Sequence, residues 1–147
     1  MVYVGSKNRI AALILPIILK DIQPDQYYVE PFCGGCNMID KVNHPYKIAA
    51  DNNKYLIALF QYIKDGGKLP DYICKEEYTK VRLNKDYYPD WYVGYIGFIC
   101  SFRGKYFAGF ADNGINGKTF KIRNYQDQQR NNLLKQSFNI KDVNFVC

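Results

Sequence analysis

The sequence predicts an α/β fold with a small parallel sheet, and three observations support this prediction. At 147 residues and 48% hydrophobic, the chain has the length and apolar content of one domain. Short apolar runs at 27–32 and 46–51 have the length of strands buried on both faces. A glycine turn and helical patterns alternate with these runs, as in parallel strands joined by crossovers. Right-handed crossovers bring the carboxyl ends of such strands to one edge, where ligands bind.

The first predicted element is an apolar helix over 10–19 (IAALILPIIL). This run follows Lys7 and Arg9, and it is similar to the apolar region of a signal peptide. It is too short to span a bilayer, has no small-x-small cleavage site and continues into a turn at 23–26. We therefore expect a buried helix kinked at Pro16 and no membrane partner.

The two predicted strands are each followed by a helical pattern. The first strand ends at a proline and two glycines, and a helix begins within 37–42. The second strand ends in an acid, and the most regular helix of the chain follows it within 53–66. Its apolar positions recur at helical spacing and two glycines end it. These residues are Leu56, Leu59, Phe60 and Ile63, then Gly66 and Gly67.

From Lys68 onward the sequence pattern changes, and no internal repeat or low-complexity tract is visible. The predicted elements are a helix over 75–85, a turn around Pro89, an aromatic-rich segment over 91–110, a loop over 111–118, a polar helix over 124–136 and a final strand over 141–147.

Positive charge is concentrated in the last third of the chain. Residues 101–147 contain 8 basic and 3 acidic side chains, which supplies five of the six net positive charges. A basic, aromatic-rich segment next to a nearly neutral one is the distribution expected when one part faces a polyanion. A solvated basic surface without a partner gives the same distribution.

The five cysteines favour a reducing cytoplasm, because their number is odd and their spacing gives no disulfide framework. The abundance of Tyr, Asn, Lys and Ile fits the coding bias of a low-GC bacterium or its phage. Cys33 and Cys36 allow three interpretations. They are a redox dithiol, half of a zinc site that lacks a second ligand pair, or two small thiols that pack a tight turn.

The glycine turn, VEPFCGGCN (29–37), also fits a cofactor site. Asp51 ends the next strand about 20 residues after the glycines, where sheets of this type bind ribose hydroxyls. Glu30 at the turn would repel a pyrophosphate, but it would favour the positive end of an amino-acid-bearing cofactor. S-adenosylmethionine is such a cofactor.

Three motifs together resemble the opening of Dam-like DNA adenine methyltransferases. They are YVGSK (3–7), VEPFCGGCN and AADNN (49–53), followed by YLIALFQYI. The resemblance implies a partial Rossmann-like methyltransferase sheet that binds S-adenosylmethionine. The matching positions are Tyr3, Gly5, Lys7, Glu30, Pro31, Phe32, Gly34 and Asp51, with Phe145 of the last strand near the cofactor's adenine pocket. Ser6 and Cys36 stand where the family has glycines.

The resemblance divides the chain into three parts. Residues 1–67 correspond to the cofactor-binding part, 68–140 to an inserted, mainly helical target-recognition region, and 141–147 to a strand that returns to the sheet. The expected partner is duplex DNA. The candidate phosphate and base contacts are Arg103, Lys105, Lys118, Lys121 and Arg123.

The family's catalytic tetrad, Asp-Pro-Pro-Tyr, does not occur in these 147 residues. We therefore expect no methyl transfer from this chain alone. Three explanations stay open: part of an enzyme, truncated or completed by a second polypeptide; a catalytically dead binder or inhibitor of another protein; or a remnant without ligands. In each case the incomplete sheet predicts an apolar face that a partner, a second copy or repacking would cover. The expected location is the cytoplasm of a bacterial or phage-infected cell.

Overall fold

The computed structural model describes residues 1–112, 114–115 and 122–147, and for 115, 122 and 123 it describes the backbone alone. The helices are α1 Ala11–Ile18, α2 Lys54–Lys64, α3 Lys75–Leu83, α4 Asp90–Gly94 and α5 Tyr125–Ser137. The strands are β1 Tyr28–Glu30, β2 Lys47–Ala50, β3 Gly114–Ile115, β4 Ile122–Arg123 and β5 Val143–Val146.

Three strands form a parallel sheet in the order β1-β2-β5, which confirms the predicted parallel sheet. Val29 is opposite Ile48 in the first pair, and Ala49 is opposite Phe145 in the second. The carboxyl ends of all three strands therefore lie at one edge. Strands β3 and β4 pair antiparallel to each other. Strand β3 lies in the predicted loop 111–118, and β4 lies between that loop and the predicted polar helix.

Helix α2 packs on the sheet through the apolar positions that its sequence spacing predicts. Leu56, Leu59, Phe60 and Ile63 are all buried. The helix begins where the Asn53 side chain accepts a hydrogen bond from the Leu56 N–H at 3.1 Å. The ring of Phe60 stacks on Phe145 of β5 with 5.5 Å between centroids. This contact fixes α2 over the edge of the sheet that contains β5.

Helix α1 has two buried residues among its eight, so the prediction of a buried helix is wrong for most of its surface. Ala11 and Leu15 lie in the core, whereas Leu13 and Ile17 are 72% and 76% exposed. Pro16 lies inside the helix, as the sequence indicates. Within the described part of the chain, no helix has the length and apolarity needed to cross a membrane.

The helix expected within 37–42 is a single 3₁₀ turn, Ile39–Lys41. Two features shorten it. Cys36, just before the turn, has a positive φ of 54°, which a regular helix cannot contain. Pro45 disfavours helical geometry at His44, and the chain must extend again to reach β2 at Lys47.

The aromatic-rich segment 91–110 forms much of the core. Helix α4 continues into a π-helical turn, Tyr95–Ile99, in which every residue is buried. A β-carbon added at Gly94 would lie 2.0 Å from the carbonyl oxygen of Tyr55, so glycine lets α4 approach α2 closely. The chain then turns back at Phe102–Gly104.

Candidate functional site

A cleft of about 200 Å³ lies at the carboxyl ends of β1 and β2. The N-terminal segment, the glycine turn and the end of β2 form its walls. Most of the residues that the sequence predicts for a cofactor line it, namely Tyr3, Gly5, Lys7, Glu30, Phe32, Gly34 and Asp51. Pro31 faces a neighbouring apolar cleft beside β1. Phe145 instead stacks on Phe60.

Asp51 joins the two strand ends. Its Oδ2 accepts a hydrogen bond from the Gly34 N–H at 3.0 Å, and its Oδ1 accepts one from the Asn53 N–H at 3.0 Å. A carboxylate oxygen has two acceptor positions, so each oxygen of Asp51 can accept a further bond from the cleft. This geometry suits a pair of ligand hydroxyls.

Glu30 is a buried carboxyl at the opposite wall of the cleft, only 7% exposed. Its Oε2 accepts from the Ile39 N–H at 3.1 Å, and Lys7 Nζ lies 3.9 Å from its Oε1. Burial raises the pKa of Glu30, although the Ile39 bond and the Lys7 charge oppose the rise. A cation in the cleft would stabilise the ionised form of this carboxyl.

Tyr3 packs directly on the glycines of the turn. Gly34 has φ +48°, and a β-carbon there would lie 2.7 Å from Tyr3 Cε1. A β-carbon at Gly35 would lie 2.7 Å from Tyr3 Cβ. The two glycines are therefore needed for the N-terminal segment to cover the turn, and Gly34 also for its backbone conformation.

The two cysteines of the turn are packed inside it. Cys33 is 3% exposed and Cys36 is fully buried. Burial raises the pKa of the Cys36 thiol, which disfavours the reactive thiolate. Among the described residues, no group of three or more His, Cys, Asp and Glu side chains could bind a metal ion. These facts favour packing of the turn over the redox and zinc interpretations.

Cys36 also has a left-handed backbone, with φ +54°. The Dam-like resemblance puts a family glycine at this position, and glycine adopts such φ values without strain. Cys36 thus adopts a backbone conformation that suits glycine, and its thiol is fully buried.

A second cleft, of about 240 Å³, shares Tyr3 and Asp51 with the first. Sequence patterns identify Tyr3, Asp51 and Lys105 but miss its other lining residues, because those residues come from segments that meet only in the fold. They are Val4, Asn52, Asn53, Phe98, Gly104 and Tyr106. The one hint in the sequence is the glycine between Arg103 and Lys105. The structure explains it, because a β-carbon at Gly104 would lie 2.2 Å from the Val2 carbonyl oxygen.

Two of the predicted nucleic-acid contacts, Arg103 and Lys105, lie together in one exposed turn. The Arg103 guanidinium lies 5.2 Å from the centroid of the Phe102 ring. Arg103 also lines a cavity of about 450 Å³ beside α5. For Arg123 only the backbone, in β4, is described, and Lys118 and Lys121 lie outside the described residues.

Comparison with known proteins relates this geometry to a family. A search of curated proteins finds no sequence match to the chain. A family model for the D12 class N6 adenine-specific DNA methyltransferases matches residues 3–147. The match includes the N-terminal segment, the glycine turn and Asp51. The chain therefore belongs to the D12 class N6 adenine-specific DNA methyltransferase family.

Proposed function

We propose that this chain is the S-adenosylmethionine-binding and DNA-recognising portion of an adenine-specific DNA methyltransferase. The observation that carries the proposal is Asp51, whose carboxylate lies between two clefts and bonds to the backbone on both sides. Membership of the D12 family supports the cofactor and the substrate class. S-adenosylmethionine would supply an electrophilic methyl group.

The residues of the two clefts fit the chemical parts of this cofactor. Asp51 would accept from the ribose hydroxyls with its free acceptor positions. Glu30 would face the ammonium of the amino-acid end, and Lys7 its carboxylate. The adenosine would extend into the second cleft, where Phe98 offers an aromatic ring.

The domain organisation is part of the same proposal. We assign 1–67 to the cofactor-binding part of a partial Rossmann-like sheet, 68–140 to a target-recognition insertion and 141–147 to the returning strand. The parallel pairing of β5 with β2 supports this assignment, because helices α2 to α5 lie between these strands in sequence. Duplex DNA would contact Arg103 and Lys105, whose exposure and charge suit phosphate binding.

Methyl transfer would require residues beyond those of this sequence, since it contains no Asp-Pro-Pro-Tyr tetrad. A second polypeptide or another copy would cover the sheet at β1, which is an edge strand. The Tyr28 N–H bonds to the Tyr46 carbonyl at 2.9 Å, so alternation in the ladder turns the Val29 N–H outward. Val29 and Phe32 are 52% and 76% exposed at this edge.

The apolar surface favours one alternative function, a catalytically inactive binder or inhibitor of another protein. Ile14 and Ile18 of α1 line an apolar cleft together with Val29 and Phe32, and Leu13 and Ile17 of the same helix are also exposed. Exposed apolar surfaces mark protein interaction sites. This alternative needs no cofactor.

Calorimetry with S-adenosylmethionine tests the proposal. We expect the wild type to bind and Asp51→Ala to lose binding. The matched control is Asp25→Ala, which removes an exposed carboxylate outside both clefts. A gel shift on duplex DNA across salt concentrations tests the second ligand, and a methyl-transfer assay tests catalysis. Wild-type protein with affinity for neither ligand would support the protein-binding alternative.

A further inference from the structure

The side-chain amide of Gln136, in the last turn of α5, lies among the carbonyl groups of the glycine turn. Its Nε2 is 2.9 Å from the Gly35 oxygen and 3.0 Å from the Cys36 oxygen. It is also 2.9 Å from Asp40 Oδ2. The side chain is 5% exposed, so these bonds are shielded from water.

The bonds satisfy carbonyl groups that the turn itself does not pair. Within the described part of the chain, the Gly35 carbonyl has no other hydrogen-bond donor. The Cys36 carbonyl accepts one further bond, from the Asp40 N–H at 3.3 Å. A buried carbonyl without a hydrogen-bond partner destabilises the conformation that buries it. Loss of the Gln136 amide would therefore favour a different conformation of the turn.

The carbonyl oxygen of Gln136 accepts from the Met1 amino group, and the Asn37 Nδ2 donates to the Met1 carbonyl at 3.1 Å. Gln136 thus contacts both walls of the first cleft, the glycine turn and the N-terminal segment. Gly35, which carries one of the bonded carbonyls, and Gly34 before it line that cleft and pack against Tyr3.

We propose that Gln136 is a positioning residue that holds the glycine turn in its cofactor-binding shape and connects this turn to α5. The inference rests on the proposed cofactor function. It adds that α5, a helix within the proposed target-recognition insertion, sets the affinity of a cleft formed about 100 residues earlier in the chain.

Gln126 provides a matched control on the same helix. It is fully buried, and its amide bonds to the backbone N–H and C=O of Ile73, both at 2.9 Å. It therefore connects the start of α5 to the segment before α3, and none of its hydrogen bonds reaches the glycine turn. Gln126→Met and Gln136→Met each remove a buried amide while keeping most of the side-chain volume.

The test measures S-adenosylmethionine affinity for the wild type and both variants, with thermal melts to compare stability. We expect Q136M to bind about tenfold more weakly, the effect of losing roughly one buried hydrogen bond. We expect Q126M to bind within about twofold of wild type at a similar loss of stability. Equal affinities of Q136M and wild type would overturn the inference.

Native cysteines give a second readout that needs no cofactor. Cys36 lies in the turn, whereas Cys100 is buried at the end of the π-helical turn. If Gln136 holds the turn, Q136M will speed alkylation of Cys36 relative to Cys100 by about tenfold, as expected from one lost hydrogen bond. Q126M will not change this ratio.

The two readouts separate failure of the inference from failure of the proposed function. Wild-type protein that does not bind S-adenosylmethionine contradicts the proposed function, and the alkylation ratio then decides the positioning role alone. An unchanged ratio overturns that role. If Q136M does not fold, Gln136→Asn, with an amide one methylene shorter, enters both assays with the same expectation.

Discussion

Replacing Gly34 with alanine tests how the N-terminal segment covers the proposed cofactor cleft. The substitution adds a β-carbon 2.7 Å from Tyr3 Cε1, at a residue with φ +48°. Two costs follow. The backbone must hold alanine in the left-handed region, and the ring of Tyr3 must move away from the turn.

The backbone cost is about 1–2 kcal/mol, which lowers the melting temperature by roughly 2–8 °C for a chain of this size. Gly66→Ala is the control, because Gly66 has φ +81° and a β-carbon there meets no atom within 4 Å. Both variants therefore lose stability from alanine in the left-handed region, and only Gly34→Ala displaces Tyr3.

Calorimetry with S-adenosylmethionine distinguishes these costs. We expect Gly66→Ala to bind as wild type does and Gly34→Ala to lose at least about tenfold in affinity, or roughly 1.4 kcal/mol. In a Tyr3→Ala background the Gly34 substitution should have little further effect on binding, because the clash is gone. Equal affinities of Gly34→Ala and wild type would refute the role of Tyr3 as a cover of the cleft.

Three further substitutions test the acid, the core and the nucleic-acid contacts. Burial raises the pKa of Glu30 in the folded state above its ordinary value of 4.5, so the fold favours the protonated carboxyl. The stability contributed by this protonated carboxyl is complete below pH 4.5 and is lost as pH rises through the folded-state pKa. Melts across pH should therefore show Glu30→Gln gaining stability relative to wild type from pH 4.5 upward, and a constant difference would contradict this. Gly94→Ala should destabilise by about 1–3 kcal/mol in urea titrations, although helical alanine normally stabilises by roughly 0.5–1 kcal/mol; a stabilised variant would disprove the close approach of α4 to α2. Arg103→Ala and Lys105→Ala should each weaken DNA binding and reduce its salt dependence by about one released ion. The control is Lys20→Ala, which removes an exposed lysine next to α1 and outside the turn of Arg103 and Lys105. An equal effect of Lys20→Ala would show that DNA binding depends on net charge and not on this turn.

The sequence predicts those parts of the fold and site that depend on local patterns. The spacing of Leu56, Leu59, Phe60 and Ile63 specifies α2, because helical periodicity alone determines which side chains face the sheet. Glu30 and Asp51 are predictable as neighbours, because parallel strands bring their carboxyl ends to one edge. Their roles in binding stay predictions.

The parts that the sequence does not predict depend on contacts between distant segments. The helix expected within 37–42 is only a 3₁₀ turn, because Cys36 has a positive φ and the chain must extend again to reach β2. Helical propensity does not predict either of these two constraints. In the sequence, Gln136 is one polar residue of a polar helix. In the structure it is buried and donates a hydrogen bond to the carbonyl of Cys36, about 100 residues earlier. The exposed side of α1 has the same cause, since burial depends on which elements pack against it.

The N-terminal segment packs between the glycine turn and the exposed basic turn. On one side, Gly34 and Gly35 receive the ring of Tyr3. On the other side, Gly104 approaches the carbonyl oxygen of Val2 so closely that a β-carbon would lie 2.2 Å from it. Gly104 follows Arg103, so the segment that covers the proposed cofactor cleft also contacts the exposed basic turn. A substitution at any of these glycines would therefore change both clefts, because they share Tyr3 and Asp51.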